Sequence, residues 1–193
     1  MDQREYDESV SPANGKPVKR GPAQNYGRRL NLVCATFPIL KNGKIVELKR
    51  NPEKRVLGDE WIFFLSEHVV PKDQGSLNAL RRGVSEEVNY KFRWDFYDPR
   101  DTPYISYEHE KEQLFWSAGL FVIPIRDLRQ LRPDYQEILD IRETDMDKVF
   151  AEARRKDSIY GRFKPSSFIE KLERHTRHAL TLPRYSIPNS SQE

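Results

Sequence analysis

"SLNALRRGVSEEVNY", residues 76–90, is the stretch on which the fold turns. Leu77, Leu80, Val84 and Val88 recur at steps of three and four, the spacing of one apolar stripe on a helix. At about 100° per residue, Gly83, Glu86 and Glu87 share a second face, and Arg82 stands one turn before Glu86. A glycine inside a helix costs roughly 1 kcal/mol against alanine. Either the position has drifted, or something must come close to the backbone beside two carboxylates.

Upstream, "LVCATFPIL", "KNGK" and "IVELKR" read as a hairpin, with Asn42 and Gly43 supplying the positive φ angles of a tight turn. "DEWIFFLSEHVV" reads as a further strand, and Pro71 to Gly75 as the loop into the helix. Downstream, "YKFRWDFYD" and "QLFWSAGLFVIPI" are aromatic and β-branched enough for strands, the second central because it is apolar almost throughout. "DPRDTPYISYEHEKE" between them reads as a polar, acidic connection. "YQEILDIRETDMDKVFAEARR" reads as a strand to about Arg142, then a helix capped at Thr144 or Asp145. The last helix, "PSSFIEKLERHTRHALTL", gathers Phe168, Ile169, Leu172, His175 and Ala179 on one side. No segment repeats. Strands, one helix, strands, then helices argue for an α+β chain rather than a doubly wound parallel sheet.

A chain of 193 residues, 37% hydrophobic and 33% charged, can bury one sizeable core. The expected division is a polar, disordered tail over 1–28, one domain over 29–182 that includes the last helix, and a flexible tail over 183–193. No apolar run approaches the roughly 20 residues of a membrane span, and the opening residues offer no apolar segment to a signal peptide. A cytoplasmic protein without membrane contact is expected. The single cysteine, Cys34, excludes an internal disulfide and a cysteine-built zinc site, and its place in "LNLVCATF" reads as a buried small hydrophobe. A formal net charge of +3 suits a polyanionic ligand, but the basic residues are spread along the chain without the clustering of a nucleic-acid surface.

The residues around Glu86 resemble the Nudix hydrolases. The signature of that family runs glycine, five residues, glutamate, seven residues, then Arg-Glu, an aliphatic, any residue, Glu-Glu, any residue, glycine and an aliphatic. In register, its slots fall on His68, Gln74, Arg82, Gly83, Val84, Ser85, Glu86, Glu87, Val88, Asn89 and Tyr90. The arginine, the aliphatic after it and the glutamate pair match. The glycines, the first glutamate and the glutamate after the arginine do not, although Asn89 suits a helix that ends in a left-handed residue. "DEWIFFL" stands where the family's strand leads into the box, and "YQEILDIRETDMDKVF" looks like its late strand and helix. The resemblance covers roughly Leu32 to Arg174, and it implies a Nudix-like α/β/α sandwich with a mixed β-sheet.

It also implies a chemistry. Family members cleave, with water, a phosphoanhydride in a nucleoside diphosphate linked to a further group, and use magnesium or manganese held by glutamates of the helix. Carried over, this makes Glu86 and Glu87 the metal and catalytic carboxylates, with Gly83 a ligand position whose side chain is gone. Gln74 can hydrogen-bond Arg82 without neutralising it, so Arg82 is expected to pair with Glu86 one turn on. A plain solvated helix face is the alternative for Glu86 and Glu87, and structural anchoring is the alternative for Arg82.

The loop "YEHEKE" offers Glu108, His109, Glu110 and Glu112 where some family members carry a further catalytic glutamate; Glu110 is the candidate, and position alone does not choose it. Arg82, Arg55 and His68 are candidate substrate contacts, and Lys49, Arg50 and Lys54 share the basic stretch with Arg55. Tyr104, Tyr107, Trp94 and Trp116 are candidates to stack on a base, or core residues. His175 and His178, three apart, lack a third metal ligand. Three readings follow: a divergent metal-dependent hydrolase, a catalytically inactive nucleotide sensor, and an interaction module of a larger assembly. A nucleotide-type small molecule is the expected partner, with a protein partner or RNA docking on the basic tail under the third reading; whether the chain forms a homodimer, as many relatives do, the sequence leaves open.

Overall fold

The apolar runs on either side of the central helix fall into two sheets. A computed structural model describes residues 8–10, 17–19, 29–40, 42–54, 57–90, 104–109, 114–155 and 166–182. In chain order the strands are β1 (Glu8–Val10), β2 (Pro17–Lys19), β3 (Arg29–Thr36), β4 (Lys44–Arg50), β5 (Trp61–Ile62), β6 (Phe64–His68), β7 (Tyr104–His109), β8 (Leu114–Val122) and β9 (Ile138–Asp145). The α-helices are α1 (Ser76–Val88), α2 (Met146–Ala153) and α3 (Ser166–Thr181). One sheet has the order β6-β3-β8-β7 with β3 and β8 parallel, and the other has the antiparallel order β5-β4-β9.

Residue alternation along β6 shows why the larger sheet is covered on both faces. Leu65 and Glu67 face α1 at Gly83, whereas the Phe64 ring packs on Phe168 of α3, centroids 5.7 Å apart. On the α3 side the buried hydroxyls of Thr36 and Thr176 meet at 2.9 Å, and Thr176 returns a bond to the Leu172 carbonyl. The second helix lies on β4 and β9, where Phe150 meets the edge of Phe63. The result is the α/β/α arrangement around a mixed sheet that the sequence implied. Ala79, Leu80, Val84 and Val88 of α1 are fully buried in the common core, each large apolar side chain contributing about 1.5–3 kcal/mol.

Several local expectations are corrected. The strands on either side of Asn42-Gly43 pair only next to the turn. The Ile39 and Val46 amides donate to the Lys44 and Phe37 carbonyls across one bridge, Pro38 to Ile45, beyond which β3 and β4 part into different sheets, and of Asn42 and Gly43 only Gly43 has a positive φ, +68°. "DEWIFFLSEHVV" likewise splits at Phe63, because β5 pairs with β4 and β6 with β3. Part of the supposed polar connection is β7, an edge strand on β8. Within the expected N-terminal tail, β1 and β2 pair as a short antiparallel ribbon. The strand expected over "YKFRWDFYD" lies, apart from Tyr90, outside the described residues. Two termini are as read: Asn89 closes α1 in the left-handed conformation, φ 42° and ψ 44°, and Asp145 caps α2 by accepting from the Lys148 amide.

Candidate functional site

The α1 helix presents its charged face to the end of β6 and to the loop that joins them. Arg82 is the hub. Its Nε and Nη2 donate to the two carboxylate oxygens of Asp73, each at 3.0 Å, and Nη2 also donates to the His68 carbonyl at 2.9 Å. Nη1 lies 3.4 Å from Glu67 Oε1 and 3.6 Å from Glu86 Oε2. These partners push the guanidinium further into its charged form, against the opposing effect of burial.

Asp73 therefore does what the sequence left to Gln74. A 3-10 turn, Pro71–Asp73, and positive φ at Gln74 (57°) and Gly75 (147°) turn the Asp73 carboxylate inward and leave Gln74 exposed. The pairing expected between Arg82 and Glu86 exists, but at 3.6 Å it is the longest of the five acidic and carbonyl contacts. His68 enters this network through its backbone carbonyl.

Gly83 has a steric explanation. A Cβ built there would lie 3.1 Å from Cβ and Cγ of Glu67 and from Cδ2 of Leu65, so helix and strand approach closely at this point and a methyl would have to push these side chains back by a few tenths of an ångström. Glu67 runs across the gap. Its carboxylate is buried, accepts the His68 amide at 2.7 Å and is raised in pKa, chiefly by desolvation, with Arg82 pulling the other way. Sequence reasoning overlooked Glu67, yet a signal existed: it alternates with the buried Phe63 and Leu65, so the inward face of an apolar strand carries a charge.

Glu87 points into a second buried cluster, formed with the start of the β4–β5 loop and the segment before β9. Its side chain is 3% exposed, and Oε2 has no hydrogen-bond partner among the described residues; the Arg50 Nη1 stands 3.5 Å away. Burial pushes its pKa up to about 8, Arg50 and Lys54 opposing this and the carboxylates of Glu67 and Glu137 adding to it. Lys54 pairs with Glu137. The backbone holds these parts together, since the amides of Arg132 and Asp134 donate to the Val88 and Glu87 carbonyls, and Asn51 bonds Glu137 and Tyr135. Five carboxylates (Glu67, Asp73, Glu86, Glu87 and Glu137) thus interact with three cations (Arg50, Lys54 and Arg82), a formal excess of two negative charges.

Of the other candidates, Arg55, Glu110, Glu112 and Trp94 lie outside the described residues, and Glu108 and His109 belong to β7. Lys49 is tied to Asp59 at 3.0 Å and stands over Trp61, so the three described members of the basic stretch, Lys49, Arg50 and Lys54, are each held in an ion pair. His175 and His178 lie on α3. Among the described residues no group of three or more His, Cys, Asp or Glu side chains is arranged as a ready metal site. No described helix is long and apolar enough to cross a membrane.

No family model and no curated protein matches the sequence. Solved structures do match the chain. A protein of Deinococcus radiodurans shares 14% identity over 88% of this chain and 97% of its own, with a TM-score of 0.53. A MutT protein of Methanosarcina mazei Go1 shares 16% over 77% and 96%, TM-score 0.53. An Ap4A hydrolase of C. elegans, solved as a binary complex, shares 12% over 77% and 98%, TM-score 0.51. What is common to these chains is the layered α+β architecture around a mixed sheet. It is a Nudix-like fold, and α1 carries the residues that resemble the signature of that family.

Proposed function

We propose that the protein is a divergent Nudix-type hydrolase that cleaves a phosphoanhydride in a nucleoside diphosphate linked to a further group, with magnesium or manganese held by Glu86 and Glu87. The observation that carries this reading is the formal excess of two negative charges at the box helix when all five carboxylates are ionised, which one divalent cation would balance and which the raised pKa values of Glu67 and Glu87 relieve by protonation in its absence. Oxygen donors alone suit a hard cation, and the buried Glu87 Oε2 has no hydrogen bond to lose. Bound there, the ion would neutralise phosphate charge and lower the pKa of a coordinated water. The chain's own residues do the rest. Arg82, saturated by Asp73 and the His68 carbonyl, fixes the loop and the helix rather than touching substrate. Arg50 and Lys54 bring positive charge to the same cluster, where phosphate oxygens need it. Glu110, as third carboxylate, and Arg55 and His68, as substrate contacts, stay part of the proposal.

One observation favours the inactive nucleotide sensor as a second reading: Arg50 already faces the Glu87 oxygen that a metal would take. A thermal-shift screen of nucleotides and dinucleotides, with and without magnesium or manganese, separates the two when every hit is followed by chromatography. Metal-dependent stabilisation with product supports the hydrolase, and stabilisation without product supports the sensor. No stabilisation by any nucleotide overturns both and leaves the interaction module.

A further inference from the structure

We propose that Tyr135, exposed on the turn before β9, is the platform on which the base of a nucleotide ligand stacks. The inference rests on the nucleotide-binding reading of the site and adds the residue that holds the base.

Tyr135 and Leu139 are the exposed large apolar side chains among the described residues, at 70% and 40%. Exposure alone says nothing, since single exposed aromatics are ordinary on a surface. The place of Tyr135 carries the argument. It stands in the turn 134–137, which is bonded to both elements that bring charge to the site. The Asp134 amide donates to the Glu87 carbonyl at 3.0 Å and ties the turn to the end of α1. The Tyr135 carbonyl accepts from Asn51 Nδ2 at 3.0 Å, and the Asn51 amide donates to the Glu137 carbonyl at 3.0 Å, which ties the turn to the chain just past Arg50.

The turn is also braced from within. The Asp134 carbonyl accepts the Glu137 and Ile138 amides, each at 2.8 Å, and its carboxylate accepts the Gln136 amide at 3.0 Å. The ring is thus shown to solvent from an ordered backbone, so a flat ligand meets a surface that costs little to order further. At 70% exposure the ring buries little area, and the core does not require it.

The groups that share the turn's anchors point to a ligand. Glu87 and Glu137 are 3% and 9% exposed, and Oε2 of each has no hydrogen bond among the described residues. Arg50 and Lys54 are their cationic neighbours. A charged cluster with open oxygens and an open aromatic face, joined by one turn, match the two ends of a nucleotide. Its phosphates, with their divalent cation, belong at the cluster, and its base belongs on the ring.

The test is calorimetric binding of ADP, GDP, CDP, UDP and pyrophosphate to the full chain in magnesium, with circular dichroism as the check on folding. Tyr135→Ala is expected to weaken the nucleotide that binds the wild type about tenfold or more, the range of base–aromatic stacking, and to leave pyrophosphate unchanged. Tyr135→Phe keeps the ring and is expected to bind as the wild type does. If pyrophosphate binds too weakly to compare, Tyr135→Phe against Tyr135→Ala decides alone. Wild-type nucleotide affinity in Tyr135→Ala would overturn the inference and leave the nucleotide reading standing. Equal losses for nucleotide and pyrophosphate, or equal losses in the Phe and Ala variants, would also overturn stacking. A wild type that binds none of the four nucleotides would overturn both.

Discussion

Arg82 and Asp73 meet edge to edge through two parallel hydrogen bonds of 3.0 Å, one from Nε and one from Nη2. Asp73 also accepts the Val70 amide at 2.9 Å, and its carbonyl accepts from Asn78 at 2.7 Å, so one buried carboxylate closes the whole loop into α1. Removing it leaves a buried guanidinium short of its main partner. Asp73→Ala is expected to cost about 3–5 kcal/mol in urea unfolding. Gln74→Glu, which restores the signature residue one position on, is expected to change stability by less than about 0.5 kcal/mol, because that side chain is exposed. A large gain from Gln74→Glu would mean that residue 74 can reach Arg82 after all.

Gly83→Ala sets two effects of known sign against each other. Alanine improves helix propensity by about 1 kcal/mol. Its Cβ, however, meets three side-chain atoms at 3.1 Å, one of them the Glu67 Cβ, which moves only with the strand. Overpacking of this kind costs about 1–3 kcal/mol. The net expectation is a loss of roughly 1 kcal/mol, read from the urea midpoint at unchanged slope. A gain in stability would show that β6 yields freely, and that Gly83 is not there for Glu67.

The box helix was legible because its apolar stripe, its left-handed Asn89 and its glutamate pair are local features. The strands flanking Asn42-Gly43 and Phe63 were legible as strands but not as members of separate sheets. A strand's period says which side chains share a face and nothing about which neighbour it pairs with. At the site, Glu86, Glu87 and Arg82 stood out by register. Asp73 was hidden by a one-residue shift that depends on positive φ at Gln74 and Gly75. Glu137 could not be found from sequence, since it reaches Glu87 only through loops held by backbone hydrogen bonds.

The Glu87 carboxyl gives stability a definite pH dependence. Its folded pKa of about 8 lies above the ordinary value of 4.5, so between those limits the folded state holds a proton that the unfolded state has released. This contribution is complete below about pH 4.5 and is lost as pH rises towards 8, at up to about 1.4 kcal/mol per pH unit. Glu67, raised in the same direction, adds to the slope. Urea unfolding of Glu87→Gln between pH 5 and pH 8 should show a shallower decline than wild type and a relative gain at the alkaline end. Parallel pH profiles for the two proteins would rule out a protonated Glu87 in the folded state.

Arg50 tests whether a cation and a side chain compete for one carboxylate. Its Nη1, 3.5 Å from Glu87 Oε2, is the nearest cationic contact of that oxygen among the described residues. Arg50→Gln enlarges the formal excess of negative charge from two to three, and above about pH 8, where Glu87 is ionised, it leaves that buried charge without its nearest cation, a change that costs about 3–5 kcal/mol. Without added metal and above that pH the variant should therefore melt well below the wild type. If manganese or magnesium binds where Arg50 now stands, either ion should raise the melting temperature of Arg50→Gln by more than it raises that of the wild type, because the arginine no longer has to be displaced. Equal increments would show that the metal and Arg50 do not share Glu87. A smaller increment in the variant would make Arg50 a support of the metal site rather than its rival, and would take away the one observation that favours an inactive sensor.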